Sequence, residues 1–436
     1  MESGTRLRLG LMMFLEYAIW GAWSPILGAY LINNLKFTGD QVGMIYMLLP
    51  LACIFSPMFF GQLADRFIST ERLLAGLHLV GAVILWKLAS VTDYGTFLFL
   101  MLAWSVVFAP TLVLTNSISF DHMSNSEKEF GLVRAGGSLG WIAAGLLLAL
   151  WLYQVTGSTQ VAGLEVAALF SLALGIFDFF LPHTPPKREG TDPLAFMKAL
   201  RMLENRNFTI FLIISFVVAT ELMFYYILTA PFLEHLGVGP KNTPWVLIIA
   251  QVAEVGVMGA MLPAVLPKWG VRKTMVIGIL AWPVRYLIFA AAAYYGPSAL
   301  AMYIVAASLT LHGFCYVFFF AVGFVYVDQV APPDIRASAQ SLIGVVSLGI
   351  GMALGSLMAG RIQAFFTQHP TSGGAGVTNW TGVFLVPCVL TILCAIIFPM
   401  LFKDPDRADE ATIDAGATDL SATQLKTAPT LEVGPQ

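Results

Sequence analysis

Twelve stretches of roughly 20 mostly apolar residues recur along this chain, each long enough to cross a lipid bilayer as a helix. They lie near 7–32, 42–64, 72–91, 96–120, 132–154, 161–182, 208–234, 243–266, 273–295, 298–326, 338–363 and 379–402. Hydrocarbon offers no hydrogen bonds to a backbone, so stretches of this kind are restricted to helices that satisfy themselves. The expected class is an all-α membrane protein. A soluble fold is excluded because 58% hydrophobic residues would leave too much apolar surface in water. No basic stripe suits nucleic acid. Cys53, Cys315, Cys388 and Cys394 all sit in apolar runs without metal-type pairing, and read as small hydrophobes.

The spans fall into two sets of six. Residues 1–182 form an expected N-terminal bundle and 208–402 a C-terminal one. Between them, 183–207 is a basic central loop expected to carry a short amphipathic surface helix, and 403–436 reads as a disordered tail. Lysine and arginine cluster on the side of the N-terminus: Arg6, Arg8, Arg66, Arg72, the stretch from Lys187 to Arg206, Lys268 to Lys273, Arg336 and Lys403. The other side holds Lys36, Lys241 and Arg361. That bias places both termini in the cytoplasm. The basic lead Met1–Gly10 has no small-residue cleavage site after it, so the first helix is expected to be retained.

Charged side chains stranded inside these spans carry the functional signal. Glu16, Arg134, Glu221, Glu254 and Arg285 lie within or at the mouth of apolar segments. An ionised group there costs roughly 2.5–3.5 kcal/mol on insertion scales. Such groups are kept where a water-filled pathway uses them, which points to a transporter. In the eighth span Gln251 and Glu254 share one helical face, offering an amide and a proton-accepting carboxyl. Burial in an apolar cavity penalises a charged carboxyl, so this one suits proton exchange; the other reading is a permanent pair with Arg285. In the fifth span Arg134, Ser138 and Trp141 share a face that presents a guanidinium fork, a hydroxyl and an aromatic surface to a flat, polar-edged ligand. The glycines between them permit close helix packing, which is the alternative use of this run.

In the tenth span His312 precedes Tyr316 by one turn; Tyr316 is the candidate for ligand stacking and His312 an interior hydrogen-bonded residue. Glu16 in the first span, with Trp20 and Trp23 on its face, either pairs within the bundle or takes part in proton transfer, and Glu221 poses the same choice. Thr115 and Asn116 read as hydrogen-bonding between helices or as lining the cavity. Asp65 and Arg66 lie between spans two and three, where Gly61 allows close packing and Asp65 can pair with a cation; they read as a gating loop or as a solvated pair.

Six plus six spans with a basic central loop, and Gly61-Gln62-Leu63-Ala64-Asp65-Arg66 in that place, resemble the major facilitator superfamily. Within it the chain resembles the bacterial nucleoside:proton symporters. The resemblance runs over about residues 7–402 and rests on Trp20-Gly21, Pro110-Thr111-Leu112, Asn116 to Ser119, the Arg134 segment, Gln251 with Glu254, Trp282 with Arg285, and Ile335 to Gln340. It implies two six-helix bundles, a nucleoside site between them and no cofactor. It implies that Arg134, Ser138, Trp141, Gln251, Glu254 and Tyr316 bind substrate, with Glu254 in proton coupling. Departures from the family pattern are Met223 and Tyr226 in the seventh span and Val317 beside Tyr316, which leave Glu16 and Glu221 as further proton-coupling candidates.

The expectation is a monomeric, proton-coupled nucleoside importer of the bacterial inner membrane, working by alternating access. Another polar metabolite such as a sugar, or a non-transporting sensor, is the alternative. No nucleophile–base pair, metal cluster or cofactor loop suggests an enzyme.

Overall fold

The computed structural model describes residues 3–123, 126–154, 159–186, 197, 199–332, 335–368 and 376–403. The expected tail beyond Lys403 and residues 187–196 and 198 of the central loop lie outside that set.

Among the described residues twelve long helices form two bundles of six. In the first are α1 (Ser3–Ala29), α2 (Gly39–Arg66), α3 (Thr70–Leu88), α4 (Tyr94–Asp121), α5 (Ser126–Gln154) and α6 (Ala162–Phe177). The second opens with α7 (Arg206–His235). Next, Thr243–Gly256 runs through a π-helical turn, Val257–Met261, into Leu262–Tyr295. That last helix bends at Gly270, whose φ of 71° and ψ of 177° suit glycine, so residues 243–269 make α8 and 271–295 make α9. Ala299–Val330 is α10, Ser338–Phe365 belongs to α11, which starts at Arg336, and Trp380–Leu401 is α12.

Among the described residues nine helical stretches are long and apolar enough to cross a membrane, and one of these, Thr243–Tyr295, contains two spans. The remaining two, α1 and α3, carry Arg6, Arg8 and Glu16, and Glu71, Arg72 and Lys87, which reduce their apolarity.

The described part of the central loop holds a 3-10 turn, Ala199–Glu204, and the rest of the stretch expected to carry an amphipathic helix lies almost wholly outside the described residues. Two details add to or depart from the expectations. Thr367–Gln368 and Val377–Thr378 pair as a short antiparallel ribbon between α11 and α12. Thr115 Oγ1 and Asn116 Nδ2 donate to the carbonyls of Thr111 and Leu112 on their own helix, at 2.8 and 2.7 Å, and so do not bridge helices.

Close packing falls where small residues allow it. A Cβ at Gly136 or Gly140 of α5 would overlap the carbonyls of Gly10 and Phe14 of α1, so the glycines of this run seat α5 on α1. At Gly61 a Cβ would meet nothing within 4 Å, so it is not a packing glycine in this conformation.

The two bundles close on each other at the end away from the chain termini. A Cβ at Gly28 of α1 would overlap the Ile227 carbonyl of α7, and Gly39 of α2 meets Gly360 of α11 in the same way. Polar contacts fasten that end: Asn33 Nδ2 donates to Glu234 Oε2 at 2.6 Å, Gln160 Nε2 donates to Glu234 Oε1, and Tyr153 donates to Asn242 Oδ1. Arg361 lies 3.7 Å from Asp40 there. At the opposite end Arg6–Glu129, Arg336–Asp328 and the Lys403 N–H bond to Asn207 each stay within one half.

Candidate functional site

A narrow cleft lies between α1, α5, α7 and α8. Gly21, Trp141, Tyr225, Tyr226, Leu247 and Gln251 are among the residues that line it. Helical periodicity accounts for the α5 wall. Arg134, Ser138 and Trp141 follow one face at spacings of four and three, and all three are half-buried. The Arg134 guanidinium lies over the Tyr17 ring at 3.9 Å, a cation–π contact that orients it while leaving its N–H groups for other acceptors. Trp141 meets Trp20 edge-on at 5.6 Å and Tyr226 at 6.3 Å. Trp20 is therefore part of an aromatic wall, and Trp23 is buried against Trp104 at 5.3 Å.

On α8, Gln251 faces the cleft and Glu254 lies one turn further on. Its carboxylate is 17% exposed, and Oε2 stands 3.7 Å from His312 Nε2. The sequence left open a permanent pair of Glu254 with Arg285; the structure instead inserts His312 between them, with Arg285 Nη1 3.2 Å from His312 Nδ1. Tyr316 opens the π-helical segment Tyr316–Ala321, with its ring 5.9 Å from His312. Segments of this kind widen a helix locally and often occur where a helix meets a functional site.

The two further carboxyls are placed away from the cleft. Glu221 is buried, with Oε1 3.5 Å from the Thr220 hydroxyl and no partner for Oε2, while Tyr286 donates to its backbone carbonyl. Glu16 is buried in a cluster that sequence reasoning missed. His78 of α3 brings Nε2 to within 2.8 Å of Glu16 Oε2 and Nδ1 to within 2.6 Å of Asp178 Oδ2. Thr111 of α4 donates to Glu16 Oε1 at 2.6 Å. A signal was available, because His78 and Asp178 are ionisable residues inside predicted spans. Half-buried Asp65 and exposed Arg66 end α2. Among the described residues no three His, Cys, Asp or Glu side chains converge as a metal ion would need.

Aromatic rings and an amide line the cleft, with a guanidinium further along the α5 face and a carboxyl one turn from the amide, and this set suits a flat ligand with several polar edges together with a proton. The family model described as "Nucleoside H+ symporter" matches residues 3–407. The chain belongs to the nucleoside–proton symporter family. Its members are transporters and not enzymes, and the chain is a multi-pass membrane protein. It is 31% identical to the xanthosine permease of Escherichia coli (strain K12) over 420 residues, 92% of this chain and 97% of that one. With the nucleoside permease NupG of the same organism it shares 28% identity over 415 residues, 91% of this chain and 96% of the permease. The crystal structure of NupG superposes with a TM-score of 0.79, covering 92% of this chain and 100% of that chain. The two-bundle architecture of the major facilitator type is thereby established for this chain.

Proposed function

We propose that the protein imports nucleosides together with protons by alternating access, with the nucleoside held in the cleft between α1, α5, α7 and α8. The observation that carries this reading is a cleft lined by Trp141 and Gln251, with Arg134 on the Trp141 face of α5 and Glu254 a turn from Gln251, in a chain of the nucleoside–proton symporter family. Trp141 and Tyr316 supply ring faces for the base. Arg134, Ser138 and Gln251 supply hydrogen bonds for the edges of base and ribose. Glu254 takes a proton from outside, which removes a charge from the loaded cavity before the bundles rock. Opening to the inside rehydrates the carboxyl, and proton and nucleoside leave.

The lysine and arginine bias supports a cytoplasmic location for both termini in a bacterial inner membrane. On that orientation the closed end is the outer one, and the conformation described faces the cytoplasm. Residues 1–182 and 208–402 are then the two rocking units, joined through 183–207 and followed by the 403–436 tail, with Asp65 and Arg66 in a cytoplasmic gating loop. The unit is a monomer in the lipid bilayer.

Uptake of labelled uridine, adenosine and xanthosine into proteoliposomes, with and without an inward proton gradient, tests the reading. Gradient-dependent accumulation of at least one nucleoside is expected. No accumulation of any of them by folded protein overturns it.

A further inference from the structure

Arg285 of α9 is fully buried, and three aromatic rings surround it. Its guanidinium carbon lies 4.4 Å over Tyr225, 4.5 Å over Trp282 and 5.3 Å from the centre of Tyr286. Its Nε and Nη2 find no hydrogen-bond partner, and Nη1 reaches the imidazole of His312 at 3.2 Å. No ion pair within 4.0 Å links it to a carboxylate among the described residues. A buried cation without a counter-ion is costly unless the site uses it.

The chemistry of this contact fixes the state of His312. Arginine has donors only and keeps its charge, so Nδ1 of His312 must be the acceptor. The imidazole is then neutral with its proton on Nε2. That N–H has no hydrogen-bond partner, and the atom 3.7 Å from it is Oε2 of Glu254. The ring cannot turn away freely, because it stacks on Tyr225 with centroids 4.5 Å apart and planes 20° from parallel. His312 itself is fully buried and its Nδ1 is occupied, so it is not a nucleoside ligand in this conformation.

We infer that His312 is a positioning residue that joins the buried charge of Arg285 to the Glu254 carboxylate and so sets when Glu254 gives up its proton. The inference rests on the reading of Glu254 as the proton-coupling carboxyl. Closing the gap from 3.7 Å to about 2.9 Å makes a charge-assisted bond, which forms only when the carboxyl is ionised. The ionisable or charged groups facing Glu254 are Arg134 from α5, Tyr225 and Tyr226 from α7, and His312 and Tyr316 from α10, with Arg285 of α9 behind His312. Arg134 belongs to the proposed nucleoside site. The His312–Arg285 pair reaches the carboxyl without occupying that site, and so acts on the proton separately from the substrate.

The test is the pH profile of nucleoside uptake in proteoliposomes, with nucleoside affinity measured in parallel at acid pH. His312→Phe keeps the stack on Tyr225 and removes the donor. It is expected to move the alkaline limb of uptake upward by about one to two pH units, because loss of the bond disfavours the ionised carboxyl. Affinity at acid pH stays within about threefold, a change worth under 1 kcal/mol. His312→Gln, which retains an acceptor for Arg285 and a donor for Glu254, restores the wild-type profile. Arg285→Gln gives the same upward shift, and combining it with His312→Phe adds nothing further. An unshifted alkaline limb in His312→Phe protein that still binds nucleoside overturns the inference; should that variant not fold, an unshifted Arg285→Gln overturns it instead. Failure of the underlying reading looks different: Glu254→Gln would then keep full gradient-driven accumulation, whatever His312 does.

Discussion

Replacing His78 by leucine should destabilise the N-terminal bundle more than any exposed substitution. Both ring nitrogens of His78 approach carboxylate oxygens, at 2.8 Å for Glu16 and 2.6 Å for Asp178. Each gap needs a proton in it. Either an imidazolium lies between two carboxylates, or a neutral imidazole lies between a carboxylate and a carboxylic acid. Both arrangements leave the cluster with one net negative charge and all of its N···O contacts satisfied.

Leucine removes both ring nitrogens at once. Glu16 keeps the Thr111 hydroxyl, but Asp178 loses its Oδ2 partner and already has none for Oδ1. Taking one partner from a buried charged set costs about 3–5 kcal/mol. Spread over a bundle of this size, that lowers the unfolding midpoint by roughly 6–20 °C. Thermal unfolding in detergent, followed by tryptophan emission, reads it directly. Trp104 is buried against Phe108 at 4.6 Å, beside the α3–α6 seam where Ser171 donates to the His78 carbonyl. The triple variant Glu16→Met, His78→Leu, Asp178→Leu should regain most of the loss, since apolar replacement of a whole buried ion cluster is often neutral. A His78→Leu protein as stable as wild type, or a triple variant less stable than the single one, would refute the reasoning.

Two further outcomes concern the cleft and its closed end. Gly28→Val and Gly360→Val each insert a side chain where α1 meets α7 and α2 meets α11, and overpacking costs about 1–3 kcal/mol. That shifts the closed-to-open ratio at this end by about 5- to 150-fold, seen as a longer spin-label distance across it and reduced uptake with binding retained. Arg134→Ala should weaken nucleoside binding by about 10- to 150-fold, the worth of one or two hydrogen bonds to a charged group, and Arg134→Lys should not restore a forked contact; calorimetric affinities within threefold of wild type would remove Arg134 from the site.

The positions of the spans were legible in the chain because bilayer thickness dictates the length of an apolar run, a property each segment carries alone. The shared face of Arg134, Ser138 and Trp141 was legible for the same reason, since the period of a helix is local. What a face meets is not local. Glu16 and His78 are 62 residues apart and His78 and Asp178 are 100 apart, and only the packing of α3 and α6 against α1 joins them. The bend at Gly270 and the π-helical turns at Val257–Met261, Tyr316–Ala321 and Gly344–Gly351 likewise follow from helix contacts that no run of residues announces. Thr115 and Asn116 show the converse: each found its acceptor four residues back, so an apparent bridging residue proved to be a local one.

The two halves also use buried charge differently. In the first, both oxygens of Glu16 and both nitrogens of His78 have partners, and only Oδ1 of Asp178 in that cluster has none, so Glu16 and His78 have little to gain from a change of conformation. In the second, Glu254 stands 3.7 Å from its nearest donor partner, Glu221 has an oxygen without a partner, and Arg285 has two nitrogens without one. Unsatisfied buried groups make a conformation sensitive to a proton or a polar ligand, because each newly formed bond there recovers desolvation already incurred. Under the proposed cycle the energy of proton binding therefore acts among α8, α9 and α10, while nucleoside binding draws on α5 as well as on α7 and α8. Substitutions that perturb coupling without loss of folding should accordingly concentrate around Tyr225, Glu254, Arg285 and His312, whereas those around Glu16, His78 and Asp178 should act on stability first.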